Sequence, residues 1–244
     1  MSLGPYDGTV GGLKLSTVAL DLRDELIARV VRGKSFADIG GLWGTINEKV
    51  SVAARLNATK LAMIDISPEG SDLWREFHER TSGFDVECVS SDVCALASIS
   101  TALKYDVVHC SGVLYHHPNP IFLLEALRQI TGQYLILTSA VTQEHIANEF
   151  GSYDVQPSGV IFVPALNPRE RKILWKYWQE KAGAGVCYGI SEPVKWDSKD
   201  FGPWWWLPTR RAMLALAECV GFRVIESGDT WNGNAHTALL ELAG

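Results

Sequence analysis

The chain has no stretch of about 18 uninterrupted apolar residues, which argues against a membrane-spanning helix. It has no surplus of basic charge. Its 22 Lys and Arg stand against 28 Asp and Glu, a formal net charge of −6, which argues against a general nucleic-acid binder. It has no Cys-x-x-Cys pair. The five cysteines, Cys88, Cys94, Cys110, Cys187 and Cys219, are odd in number and read as mostly buried, reduced thiols, with Cys88 and Cys110 inside apolar runs. The first residues lack the charged-then-apolar pattern of a signal peptide, so a cytoplasmic location is expected. No compact His/Asp/Glu spacing suggests a metal site. No internal repeat or low-complexity tract is present.

What is present is a globular composition: 244 residues, 47% hydrophobic and 20% charged. That length suits one α/β domain, or one domain with a sizeable insertion. Residues 1–34 read as a glycine-rich arm and a helix, with apolar positions at 15, 18, 19, 22, 26 and 30. Residues 35–141 alternate strand and helix: strands at 35–40, 60–66, 84–89, 105–111 and 134–140, helices at 46–56, 68–80, 93–103 and 120–130. This alternation implies a parallel sheet covered on both faces. The pattern breaks over 142–206, where only one helix is clear, opening at Asn167-Pro168. A long irregular stretch in a compact domain reads as a lid or binding insert. Residues 207–244 return to regularity, with a helix at 208–220 and two strands, 222–226 and 237–242, expected to pair antiparallel.

Three segments carry chemistry. Asp38-Ile39-Gly40-Gly41-Leu42-Trp43-Gly44 lies between a strand and a helix, where glycine permits a tight turn and a close backbone approach to a ligand. Asp65, 21 residues past Gly44, ends the second strand, where a carboxylate can take both hydroxyls of a ribose. The alternative is a tight turn and a capping Asp. The dinucleotide pattern G-x-G-x-x-G is missing. An acid placed two residues before the first glycine disfavours phosphate and suits a ligand carrying an ammonium group. The third segment, Tyr105 to His117, ends at strand carboxyl termini, which face the ligand crevice in open α/β sheets.

In the order of these blocks the chain resembles the class I S-adenosylmethionine-dependent methyltransferases, over residues 35–141 and in outline over 208–243. The resemblance implies a Rossmann-like seven-stranded sheet of order 3-2-1-4-5-7-6 with the last strand antiparallel. It implies S-adenosyl-L-methionine as cofactor and S-adenosyl-L-homocysteine as product. Asp38, Gly40, Gly41 and Gly44 match the first motif of the family, Asp65 and Ile66 the ribose side, and Asp92 and Val93 the adenine side. Cys110 and Ser111 would lie beside the methionine part. In style, Gly41-Leu42-Trp43-Gly44, Gly112-Val113-Leu114-Tyr115-His116 and Trp206-Leu207-Pro208-Thr209 are similar to the subgroup around the wobble-uridine-modifying enzymes, which also holds small-molecule methyltransferases.

His116, His117 and His145 are the candidate general bases, with His116 favoured. Each also has a structural alternative, in ending a loop, bonding a carbonyl or lying on a surface. Tyr115, Tyr153, Trp204, Trp205 and Trp206 are candidates for holding the acceptor. Six of the nine Trp fall between residues 175 and 206, where aromatic faces would stack on sugars, planar rings or alkyl cations, or simply pack the insert. The expected function is methyl transfer to an oxygen or nitrogen of a small molecule such as a sugar or secondary metabolite. A tRNA-modifying methyl- or carboxymethyl-transferase and a non-catalytic binding protein are the alternatives. The insert carries seven Lys/Arg against eight Asp/Glu, so it offers RNA no basic track. The acceptor and the oligomeric state stay open at this stage.

Overall fold

The computed structural model describes residues 9–10, 13–14, 21–43, 48–99, 103–183, 187–192 and 194–243. A two-stranded antiparallel pair, Thr9–Val10 with Leu13–Lys14, precedes the main sheet. The strands that follow are β1 (Ser35–Ile39), β2 (Lys60–Asp65), β3 (Glu87–Ser90), β4 (Tyr105–Ser111) and β5 (Thr131–Ala140). The insert adds β6 (His145–Asn148), β7 (Gly151–Asp154), β8 (Val160–Phe162) and β9 (Trp206–Pro208). The last two are β10 (Phe222–Thr230) and β11 (Ala235–Leu242). Seven strands form one sheet in the order β3-β2-β1-β4-β5-β11-β10, parallel except for β11, which runs antiparallel to both neighbours. Counting sheet strands alone, this is the expected order 3-2-1-4-5-7-6.

Helices α1 (Leu22–Val30), α2 (Val50–Arg55) and α3 (Asp72–Thr81) cover one face. Their Leu26, Ile27, Val50, Trp74 and Phe77 pack on Phe36, Met63, Val107, Ile136 and Leu239 of the sheet. Helices α4 (Val93–Ile99), α5 (Pro120–Ile130) and α7 (Arg210–Cys219) cover the other, against Ala37, Ile64, Val108, Cys110 and Leu137. Burial on both faces explains why β1, β2 and β4 read as continuous apolar runs instead of alternating ones.

Several boundaries differ from the sequence expectation. Asp21 caps α1, its side chain accepting from the Arg23 amide; the earlier positions 15–20, the helical start at 46–47 and Gly44 lie outside the described residues. Helix α3 starts at Asp72, because the chain first turns through Pro68, whose carbonyl accepts from the Ser71 amide. Strands β10 and β11 are longer than expected and almost meet, leaving only residues 231–234 between them. Cys88 is exposed on edge strand β3 and Cys219 is exposed as well; Cys94, Cys110 and Cys187 are buried free thiols.

The insert is more ordered than its sequence suggests. Strands β6 and β7 form a hairpin, and β8 pairs antiparallel with β9, joining the insert's two ends. Helix α6 (Pro168–Ala182) opens with Pro after a capping box of Asn167 and Glu170. A separate apolar cluster of Tyr115, Ile146, Ile161, Ile173, Leu174, Trp178 and Leu207 holds the insert on the core. Among the described residues no helix is long and apolar enough to cross a membrane.

One buried polar contact ties the sheet centre together. Asp38 on β1 and His109 on β4 are register partners, both fully buried, with His109 Nδ1 2.7 Å from Asp38 Oδ1. The other carboxylate oxygen accepts from the Lys49 amide at the start of α2, at 2.7 Å. His109→Phe fills similar volume but leaves a buried carboxylate oxygen unpaired. The loss should be about 3–5 kcal/mol in urea denaturation. A variant as stable as the parent would show that the pair is not a brace.

Candidate active site

The carboxyl ends of β1, β2 and β4 meet at one rim, and the sequence places its polar residues there. Gly40 has a φ of +73°, and a Cβ on it would sit 2.4 Å from Val113 Cγ2, so both conformation and space demand glycine. A Cβ on Gly41 would lie 2.5 Å from Asp38 Oδ2. The carboxylate of Asp38 is therefore folded beneath the turn. It shapes the turn and does not project into the crevice.

Asp65 at the end of β2 is almost fully buried. Its Oδ1 accepts from the Ser67 amide at 2.8 Å and its Oδ2 from the Leu42 amide at 3.3 Å. The second bond is long, and a carboxylate has about four acceptor positions, so capacity for a ligand hydroxyl remains. Beside it, Ile66 is 50% exposed and Trp43 64% exposed, two large apolar side chains on a rim that is otherwise packed. Asp92 caps α4 by accepting from the Cys94 amide at 2.8 Å, and Val93 is buried behind it. Gly44 lies outside the described residues.

At the end of β4, Cys110 is fully buried. Burial first, then the Asp38 carboxylate, pushes its thiol well above the ordinary range, so it stays protonated. Ser111 accepts from Arg23 Nη1 at 3.0 Å. Arg23 itself is 1% exposed, bonds Asp21, and lies near a second buried cation, Lys49, whose Nζ is 2.6 Å from Asp24. Arg23 is not among the site residues expected from the sequence. Its signal was position: in α1 it falls on the buried stripe with Leu26, Ile27 and Val30, where a surface charge is not expected.

Past β4, Tyr115, His116 and His117 occupy a short turn over the rim. His117 Nδ1 accepts from the Asn119 amide at 3.0 Å, so its proton is on Nε2, which faces Cys94 Sγ at 3.6 Å. Both nitrogens are used. In His116, Nδ1 lies 3.2 Å from the Pro203 carbonyl, which can only accept, so Nδ1 carries a proton, and the Gly202 backbone is a second neighbour of the ring. Burial lowers the pKa of both rings.

The three consecutive tryptophans separate. Trp204 packs edge-to-face with Tyr115 at 4.8 Å and with Trp178 at 4.8 Å, and reaches His116 at 6.3 Å. Trp205 turns to Trp196 and donates to the Asp200 carbonyl. Trp206 stacks on Phe162 and donates to the Pro118 carbonyl. Trp204 is thus the member brought to the histidine turn. Tyr153 lies on β7, packed against the insert cluster. His145 stands on β6 with its side chain 65% exposed, 2.6 Å from Asp154 Oδ1, so the structure sets it in solvent beside its hairpin and not with His116 and His117. Trp231, absent from the candidates above, reaches the end of β4 from the β10–β11 loop. Among the described residues no group of three or more His, Cys, Asp or Glu could hold a metal ion.

No family model matches the sequence, and no curated protein matches it. Solved structures do. A possible exported protein from Bordetella parapertussis aligns with a TM-score of 0.57 at 15% identity, over 91% of this chain and 66% of that one, slightly under two thirds of its length. Magnesium protoporphyrin IX methyltransferase from Synechocystis, with bound S-adenosylhomocysteine, aligns with a TM-score of 0.55 at 15% identity, over 91% of this chain and 82% of that one. The fold is that of the class I methyltransferases. A third structure, 1,6-didemethyltoxoflavin-N1-methyltransferase from Burkholderia thailandensis with its substrate and S-adenosylhomocysteine, aligns with a TM-score of 0.53 at 11% identity, over 92% and 80% of the two chains. The closer likeness to the wobble-uridine subgroup, expected from short motifs, finds no support in these similarities; three- and four-residue strings recur across a fold without fixing a branch of it.

The histidine turn makes a pH prediction. Both imidazoles have folded-state pKa values below the ordinary 6.5. The unfolded chain therefore binds more protons just below that value, and the stability they contribute is lost as pH falls through the folded pKa. Denaturation midpoints between about pH 5 and 7 should rise with pH, and His116→Gln with His117→Gln should flatten the slope. An unaltered slope would mean that neither ring is desolvated.

Proposed function

We propose that the chain is an S-adenosylmethionine-dependent methyltransferase acting on an oxygen or nitrogen of a small molecule. The observation that carries this reading is the joined rim. The Gly40–Gly41 turn and the Asp65 carboxylate are linked through the Leu42 amide, with the exposed apolar faces of Ile66 and Trp43 beside them. That donor set fits an adenosine: acceptors for ribose hydroxyls, and apolar surface for a planar base. The similar structures with bound S-adenosylhomocysteine support the same reading.

Each residue then has a task. Asp65 takes ribose hydroxyls, with Ile66 and Val93 against the base and Asp92 toward its amino group. Arg23 and Ser111, at the far end of the rim, suit a carboxylate, with Cys110 contributing backbone groups. Bound cofactor would supply a methyl group on a positively charged sulfur, activated without a metal. The protein aligns the acceptor and excludes water, which accounts for most of the acceleration in such a displacement. The His116 imidazole would take the proton that the acceptor oxygen or nitrogen gives up on receiving the methyl group. Tyr115 and Trp204 wall the acceptor, and the insert sets its selectivity.

A small acceptor is favoured over RNA because the insert carries seven Lys/Arg against eight Asp/Glu and two of those cations are already engaged. Lys176 pairs with Glu149 and Glu180, and Arg171 bonds the carbonyls of Val163 and Leu166. Arg210, just past the insert, forms a two-pronged pair with Asp229, which raises its pKa.

Calorimetry tests the reading directly. The protein should bind S-adenosylmethionine and S-adenosylhomocysteine, and Asp65→Asn should weaken both by about 1–3 kcal/mol. Absence of heat with about 1 mM cofactor, a threshold of only ~4 kcal/mol, would remove the enzyme reading. Unchanged affinity in a folded Asp65→Asn would remove the ribose assignment alone.

A further inference from the structure

The insert grips a second loop besides the histidine turn. Residues 231–234 join β10 to β11 at the rim, and Trp231 and Asn232 take φ values of +49° and +55°, with Gly233 following at +83°. Two consecutive residues other than glycine in the left-handed region, one of them a bulky aromatic, store backbone strain. The side chain placed by this strain is Trp231. It packs on the insert's apolar cluster and lies beside Gly112 at the end of β4.

Side chains hold the loop in this form. Asn234, 1% exposed, is the hub. Its amide and its Nδ2 each donate to the Trp231 carbonyl at 3.1 Å, Nδ2 reaches the Asn232 carbonyl at 3.4 Å, and its own carbonyl accepts from the Val141 amide at 3.0 Å. Its remaining group, Oδ1, accepts from Tyr177 Oη of α6 at 2.5 Å. A second hold is on Gly233, whose carbonyl accepts from Gln143 Nε2 at 2.7 Å and from Arg210 Nη2 at 2.8 Å. Arg210 belongs to α7 and is fixed on Asp229 of β10. Tyr177 and Gln143 belong to the insert.

A short connection between two antiparallel strands needs no left-handed aromatic residue. Strain of this kind persists only while its surroundings enforce it, and here part of the enforcement comes from another segment of the chain. We propose that loop 231–234 is a catch closed by the insert: Tyr177 and Gln143 hold Trp231 beside the end of β4, and when the insert lifts from the core the loop relaxes and Trp231 withdraws. Movement of the insert and clearing of the end of β4 are then one event. The catch requires no particular cofactor or acceptor.

Hydrogen–deuterium exchange of the full chain, read by mass spectrometry, tests the coupling from both ends. Tyr177→Phe keeps the ring in its cluster and removes one hydroxyl. Peptides spanning 231–234 should then exchange roughly three- to tenfold faster, the worth of one buried hydrogen bond, and Gln143→Ala should act in the same direction. Coupling is reciprocal, so Asn234→Ala, made in the loop, should speed exchange over the second half of α6 by a similar factor. Peptides from β2 and α3, at the other end of the sheet, should stay within about twofold of the parent in every variant. Loop exchange unchanged in both Tyr177→Phe and Gln143→Ala, or α6 exchange unchanged in a folded Asn234→Ala, overturns the proposal. So does a rise that extends equally to β2 and α3, which marks lost global stability and no local catch. If Asn234→Ala does not fold, Asn234→Ser takes its place.

Discussion

Everything at the rim of this sheet rests on the carboxylate of Asp38. It is fully buried, with one oxygen on His109 and the other on the Lys49 amide, so it joins β1, β4 and the start of α2 at one point. A buried charge is tolerated only where its lone pairs are satisfied, and these two partners do that. Gly41 passes over the carboxylate with no room for a side chain. The turn that would hold the cofactor therefore depends on an acid that never reaches the crevice. An acid at this position was expected to meet a ligand ammonium; its observed contacts are with His109, the Lys49 amide and the turn above it.

The aromatic insert is divided among several neighbours. Trp205 packs within the insert on Trp196 and donates to the Asp200 carbonyl, while Trp206 packs on Phe162 and ties the insert to the core by donating to the Pro118 carbonyl. Trp204 joins Tyr115, Trp178 and the histidine turn. The insert also bears on that turn, since the Pro203 carbonyl accepts from His116 Nδ1. Through Tyr177 and Asn234 it touches the loop that holds Trp231 as well. The part of the chain that breaks the strand–helix alternation thus contacts both the histidine turn and the loop carrying Trp231.

How legible the molecule was in its sequence varied with the range of the interaction. Continuous apolar runs at 35–39, 60–65 and 105–111, the glycine turn and the acid at the end of β2 are local patterns, and each lies where its pattern placed it. The insert's strands were not legible, because β8 and β9 are short and pair across more than forty intervening residues. His145 looked well placed by its closeness in sequence to β5, yet the β6–β7 hairpin carries it into solvent. Arg23 was hidden by its charge, since buried guanidinium groups are rare unless paired.

By itself the sequence determined the class of sheet, its strand order and the residues at its carboxyl ends, because period and spacing dictate which elements form and βαβ handedness dictates how they assemble. Tertiary structure alone decided which of three adjacent tryptophans meets the histidine turn, that the Pro203 carbonyl meets His116 Nδ1, and that Trp231 arrives at Gly112 from a loop 119 residues further along the chain. Those outcomes follow from contacts between segments far apart in sequence, whose geometry no local pattern encodes.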